Sequence, residues 1–435
     1  MKILIIGGTG ETGQWFTRFY KDHGWEVTVW GANARRDIAL ELGVYFADDP
    51  DEEIPLSDVV MISVPINLTE QVIAQVAPKM KRGSLLMDIT SVKTGPVSVM
   101  QQYAPKGVEL LGTHPMFGPT IPDLHGQTVI LVPVDGRCEH WTPIIRSLYE
   151  DAGAHIEVTT AIEHDRMMAV VQGLTHFAYI SIGSAMAQLD FDVSKSRSFM
   201  SPVYAIMVDF TGRILAQNPY LYAMIQMNSE VETVHSVYMK VCKDISDTVK
   251  SGDIAGFADI MRRAAIHFGD TEAALGRSDK LINAGIAEFE ELIRSIGCER
   301  GLRHQYSGVT HVGIVKQVTP RTVIIERSGR EIELKIENIR LLHSDELIDW
   351  KTKNLDHHQR DVSALIAQAA VPEIIQDIIS HMEGIVCVEI IDIYDGYSKS
   401  RVSVTYRVTI QGDMDTGKVH RDVNDLLVGI GCTIR

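Results

Sequence analysis

His114 stands in Gly112-Thr-His-Pro-Met-Phe-Gly-Pro119, between an expected strand and a proline-broken loop. An imidazole titrates near neutrality, so it can accept a proton during turnover. Far upstream, Gly7-Gly-Thr-Gly-Glu-Thr-Gly13 follows the apolar run Ile3-Leu-Ile-Ile6 and leads into Trp15, Phe16, Phe19 and Tyr20. Gly8, Gly10 and Gly13 fit G-x-G-x-x-G. A tight turn, a close approach to a pyrophosphate and close helix packing each need a residue without a Cβ, and the helix start supplies free N–H groups. The pattern is weak alone. Placed after a buried strand, it marks a dinucleotide site formed by Gly8, Thr9, Gly10, Glu11, Thr12 and Gly13. A nicotinamide there would take a hydride while His114 takes a proton.

Further strands are expected at Trp25–Trp30, Val59–Val64 and Ser84–Ile89, with helices between them, which gives a right-handed parallel sheet with ligands at the strands' C-terminal ends. Val64, Pro65, Thr90, Ser91, Lys93 and His114 then share one rim. Ser91 reads equally as a helix cap and Lys93 equally as a solvated charge. The second strand ends at Gly31, where an NAD-preferring protein carries an acid for the ribose 2′-hydroxyl, and Asn33, Arg35 and Arg36 follow. That favours a 2′-phosphate, hence NADP over NAD, although the two arginines also fit a solvated helix start.

In the middle third, Asp165, Gln172, His176 and Tyr179 recur three, four or seven residues apart in an otherwise apolar segment that opens at Glu163-His-Asp165. They form one polar stripe on a buried helix, and such a stripe must meet a partner or a wet cavity. A second apolar helix, Ser201–Ala216, carries Arg213, with Asp209 four residues before it. An intrahelical ion pair and a guanidinium clamp on a substrate carboxylate both fit. Helices through Tyr220–Met227, Val231–Val249 and Ile254–Phe268 offer more apolar surface than one bundle needs, so a homodimer through this region is expected.

A chain of 435 residues needs several cores. With a formal charge of −16, a nucleic-acid surface is not expected, and anionic ligands must be met by specific cations. Cys138, Cys242, Cys298, Cys387 and Cys432 have no C-x-x-C spacing, so neither a disulfide framework nor a zinc knot is indicated and a reducing cytoplasm fits. No metal site is expected. No apolar run is long enough for a membrane span.

Together these motifs resemble the prephenate dehydrogenase family over roughly residues 1–275. The resemblance rests on the glycine turn, Asp88-Ile-Thr-Ser-Val-Lys93, His114-Pro-Met-Phe-Gly-Pro119, Glu163-His-Asp165 with Gln172-Gly-Leu-Thr-His-Phe177, and Ser201-Pro-Val-Tyr204 with Gly212-Arg-Ile-Leu-Ala-Gln217. It implies a Rossmann domain followed by an all-α dimerisation domain, and oxidative decarboxylation of prephenate or arogenate in tyrosine biosynthesis. In that family the histidine matching His114 accepts the proton of the substrate's 4-hydroxyl and the serine matching Ser91 supports it. The residues matching His176 and Arg213 meet the substrate, with Gln172 beside them. The turn Gly31–Arg36 departs from the many members that use NAD. A deazaflavin-dependent NADP oxidoreductase and a non-catalytic NADP-sensing regulator are the competing readings.

Beyond residue 300, alternating runs at Val309–Val315, Thr322–Glu326 and Glu331–Lys335, with a Ser328-Gly329 turn, indicate a small β unit. Asp345–Arg360 reads as linker or helix, with His357-His358 in its polar part. The order helix, strand, strand, helix, strand that follows suggests a ferredoxin-like module. It resembles anticodon-binding or ACT-like domains, which implies oligomerisation or sensing of an effector such as tyrosine. The expected domains are 1–155, 156–300, 301–345 and 346–435.

Overall fold

The computed structural model describes every residue other than Lys399. Two compact units result, Met1–Gly269 and Asp270–Arg435. The first is built on an eight-stranded sheet: β1 (Lys2–Ile6), β2 (Glu26–Trp30), β3 (Tyr45–Phe46), β4 (Val59–Ile62), β5 (Leu85–Asp88), β6 (Glu109–Pro115), β7 (Thr128–Pro133) and β8 (His155–Val158). Its order, β3-β2-β1-β4-β5-β6-β7-β8, reverses between β1 and β4, where an open α/β sheet forms its ligand crevice. Successive residues of β1 serve opposite faces: Ile3 and Ile5 join one apolar cluster with Trp15 and Phe16, while Leu4 and Ile6 join another with Ile62 and Ile73. Burial on both faces explains why these strands read as continuous apolar runs.

The sheet is not parallel throughout. β7 runs antiparallel to β6, and its register pairs Thr113 with Leu131, His114 with Ile130 and Pro115 with Val129. His114 is therefore a strand residue, not the loop residue its prolines suggested. Pro115 has no N–H to give, but β5 pairs with β6 only as far as Gly112, so Pro115 lies beyond that side's ladder.

The middle region is helical, as expected, from Ala161–Met168 through Ala169–Leu174 to Thr175–Gln188, then Pro202–Leu215, Pro219–Gln226, Val231–Lys250 and Ile254–Phe268. Residues Ala169–Leu174 form a π-helical turn. Such turns displace side chains from the regular helical stripe and recur at functional sites.

The expected boundary near residue 300 falls instead at Gly269. Helix Thr271–Arg294 belongs to the second unit because its Leu292 enters the core of the small β unit with Leu302, Val315 and Ile325. That unit is a five-stranded antiparallel sheet, and its Ser328-Gly329 hairpin has φ of 52° and 77°, the left-handed pair a two-residue turn demands. The last module runs His357–Ala367, Pro372–Ser380, Ile385–Ser398, Arg401–Gln411, Thr416–Gly429 and Thr433–Ile434. Antiparallel pairing places its third strand beside its first and its fourth beside its first, a ferredoxin-like β-α-β-β-α-β arrangement. His357-His358 opens a strand here and not a linker. Its polar start is exposed, and backbone pairing with Arg401–Gln411 overrides the missing alternation.

Candidate active site

The glycine turn has the geometry of a phosphate cradle. Gly7 adopts φ 88°, and a Cβ on it would lie 2.1 Å from the Ser63 carbonyl oxygen at the end of β4. A Cβ on Gly13 would fall 2.2 Å from the Gly7 oxygen, so turn and helix can close only on glycine. Gly10 caps helix α1 (Glu11–Asp22), whose first N–H groups lack intrahelical partners and can meet a pyrophosphate. The cradle fits a dinucleotide. At the end of β2, a Cβ on Gly31 would stand 2.7 Å from Thr9 Oγ1, so this position lies close against the glycine turn. Asn33, Arg35 and Arg36 are exposed just beyond it. Arg35 makes only a 3.4 Å contact to Asp37, while Arg36 pairs with Asp48 and lies over the Phe46 ring. Val64 is half-buried and Pro65 exposed, after β4.

Phe117 ties the segment after His114 to this cradle, with its ring centroid 5.3 Å from that of Trp15 on α1. Trp15 Nε1–H also donates to the Ile121 carbonyl at 2.9 Å.

His114 is 3% exposed and sits at the end of a hydrogen-bonded chain. Asp165 Oδ1 lies 2.8 Å from His164 Nδ1, His164 Nε2 lies 2.9 Å from His114 Nδ1, and His114 Nε2 lies 3.3 Å from Gln172 Nε2. A carboxylate can only accept, so the His164 proton that faces it sits on Nδ1, and with both rings neutral the remaining protons follow in turn. His164 carries its proton on Nδ1, its Nε2 accepts from His114 Nδ1–H, and His114 Nε2 is left as a bare lone pair facing the Gln172 amide. Burial holds the His114 pKa well below its ordinary 6.5, helped by His164 and by the Lys93 ammonium and opposed by Asp165. His114 is thus a neutral imidazole, a base whose Nε2 lone pair accepts from the Gln172 amide until a substrate proton takes that place. Burial alone would raise the Asp165 pKa, but hydrogen bonds from His164, Thr94 and Lys93 bring it below 3.8.

The structure brings His114 and Gln172 together and adds His164 and Asp165, whose link to His114 the sequence reading lacked. Its signal was two adjacent titratable residues at the start of an apolar segment. Asn228 and Gln226 brace this segment, donating to the Asp165 and Gly173 carbonyls at 3.1 Å each. His176 lies farther along, its ring edge-on to Tyr222 at 4.4 Å, its Nδ1 buried without a partner, and its pKa lowered by burial. Arg213 is exposed, and its charge opposes the burial that raises the Tyr222 pKa, so His176, Tyr222 and Arg213 form one group. The Asp209–Arg213 pair does not form: Asp209 accepts from Arg197 at 2.6 Å. Ser91 is half-buried after β5. Lys93 is not a solvated surface charge: its side chain is fully buried and its ammonium binds Asp88 at the end of β5.

A glycine cradle at the crevice of a Rossmann sheet, with a neutral buried imidazole at the same rim, defines a nucleotide-dependent oxidoreductase. Comparison with known proteins narrows the class. The family description "Prephenate dehydrogenase, nucleotide-binding domain" matches residues 16–158, and "Prephenate dehydrogenase, dimerization domain" matches residues 160–263. The chain is 38% identical to the probable arogenate/prephenate dehydrogenase of Methanocaldococcus jannaschii, over 99% of this chain and 98% of that one. It is 34% identical to the T-protein of Enterobacter agglomerans, over 62% of this chain and 68% of that one. The solved structure of Aquifex aeolicus prephenate dehydrogenase, in complex with hydroxyphenyl propionate and NAD+, shares the fold at TM-score 0.52 and 18% identity, covering 62% of this chain and 98% of that one. The chain belongs to the prephenate dehydrogenase family, oxidoreductases of aromatic amino acid biosynthesis.

Proposed function

We propose that this chain converts prephenate to 4-hydroxyphenylpyruvate by NADP-dependent oxidative decarboxylation. The observation that carries the reading is the unprotonated Nε2 of a neutral His114, held by the Gln172 amide and backed by His164 and Asp165. When bound in the glycine cradle, a nicotinamide supplies the hydride acceptor. As hydride leaves C4 of the ring, the 4-hydroxyl must lose its proton, and His114 Nε2 accepts it. The imidazolium formed is stabilised through His164 by the Asp165 carboxylate. The bond from C1 to its carboxylate then breaks, carbon dioxide leaves, and the electron pair aromatises the ring. The phenolate oxygen recovers the proton from His114.

Gln172, on the π-helical turn, holds its amide against the same Nε2 and orients the hydroxyl. Ser91 supports that contact from the rim. Arg213 serves a substrate carboxylate, which suits an exposed guanidinium with Asp209 already engaged by Arg197. Gly31 with Arg35 and Arg36 favours NADP over NAD. Exposed apolar side chains on the helical region, among them Val237, Val241 and Met261, favour a homodimer through the segment that matches the family's dimerization domain.

Arogenate is the second reading, favoured by the double name of the Methanocaldococcus relative. Purified protein is incubated with prephenate or arogenate and with NADP or NAD, and reduced nicotinamide is followed by absorbance. Turnover is expected with NADP preferred. Silence with both substrates sinks the reaction, and a preference for NAD sinks the cofactor reading alone. Arg213→Ala should raise KM by about 10- to 100-fold with kcat largely kept.

A further inference from the structure

Asp88 is the last residue of β5, and both it and Lys93 are fully buried. The Lys93 ammonium binds Asp88 Oδ2, and the Thr90 N–H and hydroxyl donate to the same oxygen. Desolvating two such ions generally costs as much as their attraction returns, so stability does not by itself explain the pair. The surroundings are shaped around it. A Cβ on Gly112 would stand 2.9 Å from Lys93 Cδ and 3.3 Å from both Val132 and Val97. Glycine at 112 is therefore the room in which the lysine stem lies. Thr113 closes the other side, its hydroxyl donating to the Asp88 carbonyl at 2.6 Å.

The turn held this way presents its backbone to the proton chain. Lys93 N–H donates to Asp165 Oδ1 at 2.8 Å, and Thr94 N–H donates to Asp165 Oδ2 at 2.9 Å. Both carboxylate oxygens are thereby fixed, and Asp165 in turn orients His164 and then His114.

We propose that the buried Lys93–Asp88 pair, in the space left by Gly112, is the positioning device of this site: it locks residues 88–94 so that two backbone N–H groups clamp Asp165, and so sets the orientation and proton placement of His114. Lys93 touches neither substrate nor cofactor in this role. Its ammonium also disfavours a second positive charge on His114, which keeps the base neutral before reaction. The role rests on the reading of His114 as the proton acceptor.

The test uses Lys93→Met and Gly112→Ala in the full chain, with two readouts. The first is the ¹⁵N chemical shifts of the His114 imidazole without substrate, followed against pH. In wild type they should report a proton on Nδ1 and a bare Nε2. In Lys93→Met the imidazole should titrate on the order of one unit higher, because a nearby cation is gone. In Gly112→Ala the single tautomer should give way to a mixture. The second readout is turnover: kcat should fall about tenfold or more in both variants with KM within about twofold, since misplacement acts on the chemical step. The acid limb of the pH profile should move up in Lys93→Met alone. If Lys93→Met does not fold, Asp88→Asn with Lys93→Met leaves no unpaired ion and is read the same way. Folded variants that keep the wild-type tautomer, titration and kcat overturn the proposal. The ¹⁵N measurement needs no substrate, so failure of the reaction reading, seen as a wild type that turns over neither substrate, is distinguished from failure of the positioning role.

Discussion

In Met1–Gly269 the buried Asp, Lys and His side chains are Asp88, Lys93, His114, His164 and Asp165, all around one rim of the sheet. In Asp270–Arg435 the described buried polar residues are Ser295, Ser403, Thr409 and Gln411, none of them charged. Ion pairs there are partly exposed, as in Arg407–Asp361 across two strands and Arg340–Glu346, and the most enclosed cation of the described pairs, Lys351, still leaves its side chain 14% exposed between Glu299 and Asp413. The cores differ accordingly. Val404, Tyr406, Val408 and Ile410 share one apolar cluster with Val419, Val423 and Leu427 in the ferredoxin-like module. Buried polar atoms without a partner occur in both units, Asp88 Oδ1, Gln172 Oε1 and His176 Nδ1 in the first and His420 Nδ1 and Asn424 Oδ1 in the second. The contrast that remains is one of charge: fully buried ions, which cost stability and recur at functional sites, are found at the rim of the first unit's sheet and not among the described buried residues of the second.

Two substitutions can break this contrast. His114→Asn should lower kcat by about 10² to 10⁴ while binding of NADP is kept, because it removes the proton acceptor and leaves the cradle intact. Steady-state turnover with a separate NADP titration checks it, and wild-type activity would end the assignment. Leu427→Ala, in the apolar core of the last module, should cost about 2–5 kcal/mol of that module's stability. Thermal unfolding would show the loss, with turnover unchanged at temperatures where the chain stays folded. A matching fall in kcat would mean that the second unit participates in the chemistry.

The legible parts of the sequence were those dictated locally. The buried runs of β1, β4 and β5, the glycine turn and the helices from Pro202 to Phe268 follow from periodicity and backbone freedom, and the Ser328-Gly329 hairpin follows from turn chemistry. What was missed depends on contacts distant in sequence. The polar start of His357–Ala367 shows no alternation, and its strand exists through pairing with Arg401–Gln411. Asp209 went to Arg197 and not to Arg213, a choice that helical spacing cannot reveal. His114 was singled out by its motif, but the hydrogen-bonded chain it joins, through His164 to Asp165, reaches it from fifty residues away. That Lys93 is buried with its ammonium on Asp88 could not be read from spacing, which gives position while only packing gives burial and partner.

Acid should separate the two units, and this is the smallest effect and the one that sharpens the comparison most. The folded pKa of His114 lies well below its ordinary 6.5, so below that pH the unfolded chain binds a proton that the folded chain refuses. Stability then falls as pH drops, by at most about 1.4 kcal/mol per unit for one group. His176, also lowered by burial, acts in the same direction. Asp165, held below 3.8, adds a loss at lower pH still, since the stabilisation it gives is present above 3.8 and disappears as pH falls through its folded value. In the second unit the corresponding group is Glu346, pulled from 4.5 down to about 2 by Arg340 and by the His343 N–H, and what it contributes persists until pH falls below 4.5. Limited proteolysis at steps from about pH 7 to about pH 4, with cleavage sites mapped by mass spectrometry, should therefore open Met1–Gly269 first while Asp270–Arg435 stays protected. Opening of the C-terminal unit first would show that the buried histidines are not what limits the acid stability of this chain.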